Sequence, residues 1–198
     1  MAKIGLYKDA QLLYPISQGG ALTSPDDIVA DGGAGETVDG IIYLANTQSP
    51  LTAGMTTIST ELHVSSAYFE VGEVVKIGNE KILITAGSGV DFTISRGHGG
   101  TTPETHSVSD VVYSAYDYTN LTFDISDAGA PSQETLVTLG VTLGSLGTNT
   151  PGASLTLPDK AFNQTQEIHR RITIPGSTDT GLLTSLYYSL TRIEHETP

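Results

Sequence analysis

The chain has 198 residues, no cysteine, and a formal charge of −13 from 9 Lys+Arg against 22 Asp+Glu. That excludes disulfide scaffolds, Cys-based zinc sites and thiol catalysis, and it argues against a surface that tracks nucleic acid phosphates. With 38% hydrophobic residues and 22 glycines, the composition suits short strands joined by turns, and no apolar window is long enough for a membrane helix.

The opening "MAKIGLYKDA" has no apolar stretch followed by a small-residue cleavage site, so it does not read as a secretory signal and a cytoplasm is the expected place of synthesis. Residues 3–7 ("KIGLY") are expected to form a strand, and 8–16 ("KDAQLLYPI") a second. Residues 17–37 cluster Gly, Ser, Pro and Asp and read as a loop, with at most one brief strand. "VDGIIYLAN" (38–46) is rich in β-branched and aromatic residues and reads as a strand.

A compact series follows, with strands expected at 55–62, 69–78, 80–86, 90–96 and 109–116. Gly78-Asn79 falls between two apolar runs, and Gly87-Ser88-Gly89 falls between the next two. Both are hairpin punctuation, because these residues tolerate positive φ. The last third reads as strands at 120–127, 134–143, 153–158, 165–175 and 182–194. In the last of these Leu186, Tyr188 and Leu190 share one face at period two. Leu182, Leu183, Leu186 and Leu190 also fit a helical stripe, but the Thr, Ser and Tyr content favours a strand. Around 168–174 the alternation places Arg170 on the same face as Ile168, Ile172 and Ile174.

Many short strands bounded by turns imply an all-β fold, an immunoglobulin-like β-sandwich. "GIIYLANT" (40–47) ends like a sandwich strand entering a loop, and "YTNLTFDIS" (118–126) reads as its successor. The expected organisation is therefore a discontinuous sandwich domain, 1–50 plus 117–198, with a small hairpin-rich β-domain, 51–116, inserted in it.

Little in the chain argues for an enzyme. The five histidines lack HExxH spacing. His98 and His106, with Glu104 between them, could converge on a metal from a long loop, but they read more simply as polar residues of a turn and a strand entry. Asp26, Asp27 and Asp31 lack EF-hand spacing and read as a solvated loop. "DGGAGETVDG" and "RGHGGTT" match neither GxGxxG nor a P-loop, and no GxSxG occurs. The sequons at Asn120 and Asn163 carry no weight without a secretory route. No catalytic residue, cofactor or metal site is assigned. The arginines Arg96, Arg170, Arg171 and Arg192 are too scattered for a phosphate track. Arg96 reads either as an anion ligand or as a structural partner for a carboxylate and loop carbonyls.

Residues 71–113, "VGEVVKIGNEKILITAGSGVDFTISRGHGGTTPETHSVSDVVY", carry Ile77-Gly78-Asn79-Glu80, then Arg96-Gly97, Gly100-Thr101 and His106. This order resembles a small β-module that recurs in virion proteins of tailed bacteriophages. The flanks are similar in style to the immunoglobulin-like sandwiches of phage heads, necks and tails. The resemblance implies a structural role for Glu80, Arg96, Gly97, Gly100, Thr101 and His106 in holding the module together. It also implies a virion subunit, either a head decoration or cementing protein or a neck or tail subunit. Its partners would be capsid or tail proteins and further copies of itself, with no nucleic acid or membrane contact. Loops 17–37 and 144–152 would then be arms that order on neighbouring subunits. The alternative is a β-sandwich that binds host-surface glycans; nine tyrosines favour that reading, and the absence of tryptophan weakens it.

Overall fold

The computed structural model describes residues 3–18, 21–22, 34–127, 133–176 and 186–198. The fold is all-β and its sheets are antiparallel. A six-stranded sheet runs in the order β12-β14-β4-β1-β2-β3 and faces a three-stranded sheet, β13-β11-β15. The first contains β1 (Ile4–Tyr7), β2 (Pro15–Gln18), β3 (Ala21–Leu22), β4 (Glu36–Asn46), β12 (Val137–Gly140) and β14 (Gln166–Ile174). The second contains β11 (Tyr116–Asp127), β13 (Leu155–Thr156) and β15 (Leu186–Glu196).

Period-two alternation builds the core between these sheets. β4 buries Ile42 and Leu44, β14 buries Ile168 and Ile172, and β11 supplies Tyr118, Phe123 and Ile125 from the opposite side. Arg170 lies on the same face of β14 and is also buried. Its Nη1 donates to Tyr188 Oη at 2.9 Å, so a charged side chain spans the two layers. Gly40 stands opposite Arg170 in the register, and a Cβ there would meet Nη2 at 2.9 Å. A side chain at Gly40 would therefore crowd the guanidinium. The run 186–196 is a strand, paired with β11 over nearly its whole length. Tyr188 and Leu190 pack on the core, while Tyr187 and Ile193 are exposed.

A third sheet, β5-β10-β7-β8-β9-β6, lies between residues 48 and 114 and has its own apolar cluster. Its strands are β5 (Gln48–Pro50), β6 (Glu61–His63), β7 (Val74–Ile77), β8 (Glu80–Ser88), β9 (Asp91–Ser95) and β10 (Val111–Ser114). It curls until its edges touch. Leu51 bridges Val64, and Thr52 N–H and Ser65 N–H donate to His63 and Pro50 carbonyls, each at 3.0 Å. Phe69, Val75, Ile82, Ile84, Phe92 and Val112 fill the interior.

Several expected strands are shorter than their sequence patterns. Residues 8–14 form a turn, because the Asp9 carboxylate accepts the N–H groups of Leu13 and Tyr14 and Leu12 takes φ 59°. Of 55–62 only the end is strand. Met55 makes an isolated bridge to His106, and Ser59 Oγ accepts the Thr56 N–H in a local turn. The 69–78 strand starts only at Val74, the 134–143 strand is reduced to Val137–Gly140, and the 153–158 strand to Leu155–Thr156. Residues 144–152 are no free arm. Leu146 is buried within a 3-10 turn and Asn149 Nδ2 donates to Leu139 O at 2.7 Å. Most of the 17–37 loop lies outside the described residues.

Both glycine hairpins form. Ile77 pairs with Glu80 around Gly78-Asn79, and Ser88 pairs with Asp91. Gly87 has φ 107°, and a Cβ there would lie 2.4 Å from Asp91 O, whereas Gly89 at φ 70° faces open space. Gly87→Ala should therefore lower stability by about 1–3 kcal/mol, measured by chemical denaturation. Gly89→Ala should cost clearly less.

Candidate functional site

Glu80 is the first residue of β8, directly after the Gly78-Asn79 turn, and its side chain is fully buried. Arg96 leaves the end of β9 and meets it edge to edge. Nε donates to Glu80 Oε1 and Nη2 to Oε2, both at 2.5 Å. The guanidinium also donates to Thr56 O and Glu104 O, both at 2.6 Å. The Glu80 carboxylate receives three further donors: Gly97 N–H at 3.3 Å, Glu104 N–H at 3.0 Å and His106 Nε2 at 2.9 Å. A carboxylate offers about four lone-pair sites. Five donors saturate it and leave nothing directed at a ligand.

The glycines and Thr101 shape the loop that delivers these donors. Gly97 is left-handed, at φ 65° and ψ 31°, and a Cβ there would meet Thr101 O at 2.7 Å. Thr101 Oγ1 accepts the Lys81 N–H at 3.0 Å and donates to His98 O at 3.1 Å, fixing the turn onto β8. Gly100 has φ 84° with open space beside it, so its requirement is conformational only. The structure thus brings Glu80, Arg96, Gly97 and His106 into direct contact, while Gly100 and Thr101 act one step away. Burial works to raise the Glu80 carboxyl pKa. The Arg96 guanidinium, the Glu104 amide and His106 outweigh it and hold the carboxyl at about 2.

The remaining sequence candidates are dispersed. His98 Nε2 faces Glu196 at 3.4 Å, away from His106 and Glu104. Arg171 pairs bidentately with Asp39 across β14 and β4, at 2.7 and 2.8 Å. Arg192 pairs with Glu194. Asn120 and Asn163 both adopt positive φ, Asn120 at a bulge in β11. Asp26, Asp27 and Asp31 lie outside the described residues. Among the described residues no three His, Asp or Glu side chains gather to hold a metal.

A second buried polar group has no signature in the sequence. Asn46, at the end of β4, donates from Nδ2 to Ser114 O and Tyr116 O, each at 2.8 Å. Lys160 Nζ donates to Asn46 Oδ1. Ser114 Oγ donates to Glu73 Oε1, and Val74 N–H donates to Tyr116 Oη at 3.1 Å. Asn46, Glu73, Ser114 and Lys160 are all buried. Burial pushes the Glu73 carboxyl up to about 7 and the Lys160 amine down to about 8. Glu73 ends an exposed-looking "FEVGE" segment and Lys160 lies in "LPDKAF". Neither context marks a buried charge, because the burial comes from strands distant in sequence.

Comparison of the chain with protein-family models, with curated proteins and with solved structures returns no match.

The network's geometry fixes what its removal does. Arg96→Ala strands a buried carboxylate and should cost about 3–5 kcal/mol; Arg96→Lys, unable to bridge both oxygens, should recover only part. Thermal and denaturant unfolding measure both.

The two buried glutamates act oppositely with pH. The folded pKa of Glu80 is depressed, so its contribution is full above the unfolded value of about 4.3 and is lost as pH falls towards 2. The folded pKa of Glu73 is raised, so its contribution is full below about 4.3 and fades as pH rises to about 7. Glu73→Gln should therefore abolish a decline in unfolding free energy between those two pH values, read from denaturant titrations. A decline of the same size in the variant would show that Glu73 is not its source.

Proposed function

We propose that this chain is a structural subunit of a tailed-phage particle that works through protein–protein contacts, as a head decoration or cementing protein or as a neck or tail subunit. One observation carries the reading. The Glu80, Arg96-Gly97 and His106 positions, which underlie the resemblance to a phage virion module, converge on one saturated network. The role that the resemblance assigns them is structural, and their geometry suits it.

Other features support the same reading. The principal buried polar side chains spend their hydrogen bonds on strand-to-strand links. Apolar side chains stand out on turns instead: Leu13 and Tyr14 on the 8–14 turn, Ile58 and Val108 on the curled sheet, Leu143 beside the 3-10 turn. Such residues suit contact with neighbouring subunits. The acidic balance suits the outside of a DNA-filled particle better than its interior.

The test is light scattering of the purified protein, alone and mixed with particles that lack it. Saturable docking is expected, with a copy number that separates shell decoration from neck or tail. A protein that stays free and monomeric beside such particles would overturn the reading, and a glycan screen would then address the alternative of a host-surface sugar-binding module.

A further inference from the structure

Lys160 holds an unusual position for a lysine. Its side chain is only 2% exposed. Its backbone is locked to Tyr118 by reciprocal N–H to carbonyl bonds, both at 2.8 Å. Among the described residues Nζ makes no ion pair. Its acceptors are Asn46 Oδ1 and, at 3.4 Å, Ala161 O, and it stands 5.5 Å from the Tyr118 ring centroid. A buried ammonium without a contacting carboxylate is costly, so burial makes the amine easier to deprotonate than a surface lysine. Burial indeed brings this amine down to about 8, against the opposing pull of the Asp117 charge. A neutral, desolvated lysine amine is a nucleophile.

The carboxamide it touches is fixed. Asn46 is buried, and both N–H bonds of Nδ2 are taken by Ser114 O and Tyr116 O at 2.8 Å. Groups held together in this way have a high effective concentration wherever the amine can swing from Oδ1 to the adjoining Cγ.

From this contact we propose that Lys160 and Asn46 become joined by an intramolecular amide, Lys160 Nζ to Asn46 Cγ. The amine lone pair attacks Cγ and the carbonyl electron pair moves onto Oδ1. It returns as the Cγ–Nδ2 bond breaks. One proton passes from Nζ to Nδ2, which leaves as ammonia. The exchange of one amide for another needs no oxidant, reductant or cofactor. Its product replaces a buried amine with a neutral group and ties the end of β4 covalently to the segment before β14. A surface cleft lined by Pro158, Lys160 and Gln164 lies along the segment that carries the amine.

Intact-mass spectrometry of the denatured full-length protein tests this. The expected mass is that of the sequence, corrected for any removal of Met1, less one ammonia. Digestion should give one branched peptide joining the Asn46 and Lys160 segments. Lys160→Met and Asn46→Ala should each restore the full mass, a readout that does not depend on either variant folding. A wild-type mass equal to the sequence overturns the proposal. So does an ammonia loss that maps elsewhere while the Asn46 and Lys160 peptides run separately.

Discussion

The chain leaves the sandwich at Asn46 and re-enters it at Tyr116, and everything between must begin and end at nearly the same place. Asn46 meets that constraint directly, since its amide nitrogen is held by the carbonyls of Ser114 and Tyr116. Beyond this point Ser114 N–H donates to Thr47 O at 2.9 Å and β5 pairs with β10. The outgoing and returning passages therefore form a continuous ribbon. Val74 of the curled sheet is buried within the sandwich core, and Tyr116 Oη accepts its N–H. Apolar packing and buried polar bonds thus meet at one junction. Packing supplies most of the favourable free energy, and the polar bonds fix which strands lie side by side.

The two buried polar groups solve different electrostatic problems. Glu80 is a charge brought into the interior with its counter-charge and with enough neutral donors to replace its hydration, and for that reason it stays ionised. Glu73 and Lys160 are brought in without contacting counter-charges among the described residues, so burial shifts both towards their neutral forms. The first arrangement is rigid and chemically quiet, since every lone pair is occupied. The second leaves an amine of lowered pKa against a fixed amide, the contact on which the proposed cross-link rests. Lys81 is intermediate: it is buried at the edge of β8 but reaches Glu196 and Thr197 O, at 3.2 and 2.9 Å, and so ties the curled sheet to the end of β15.

How much of this the sequence disclosed depended on how local the cause was. The Gly78-Asn79 hairpin, the β-branched run of β4 and the alternation in β14 and β15 each follow from neighbours a few residues apart, and all were legible. Arg170 was placed on the apolar face by its spacing alone, though its partner Tyr188 was not. The strand ends were misjudged where a side chain competed with the sheet for backbone groups. Asp9 captures the amides of 13 and 14, and Ser59 that of 56. Asn46, Glu73, Ser114 and Lys160 were invisible for the opposite reason. Lys160 lies 114 residues from Asn46, and no local pattern can encode a contact made by the closing of the fold.

The same distinction bears on how the surface works. With the buried networks satisfied internally, recognition in the role we propose would fall to side chains whose backbone is already held in place. Leu13 and Tyr14 are about two-thirds exposed, yet they sit on a turn whose amides are gripped by Asp9 and whose Tyr14 carbonyl accepts the Lys8 N–H at 2.9 Å. Leu143 likewise precedes a 3-10 turn anchored by buried Leu146. An apolar group presented on a stiff turn loses little conformational entropy when it is covered, so more of its burial energy remains as affinity. That economy matters most where many identical, individually modest contacts must add up. A repeated subunit in a large assembly, the role we propose for this chain, would be under that demand, and a fold that fixes its strands with internal polar knots while leaving apolar residues on braced turns suits it.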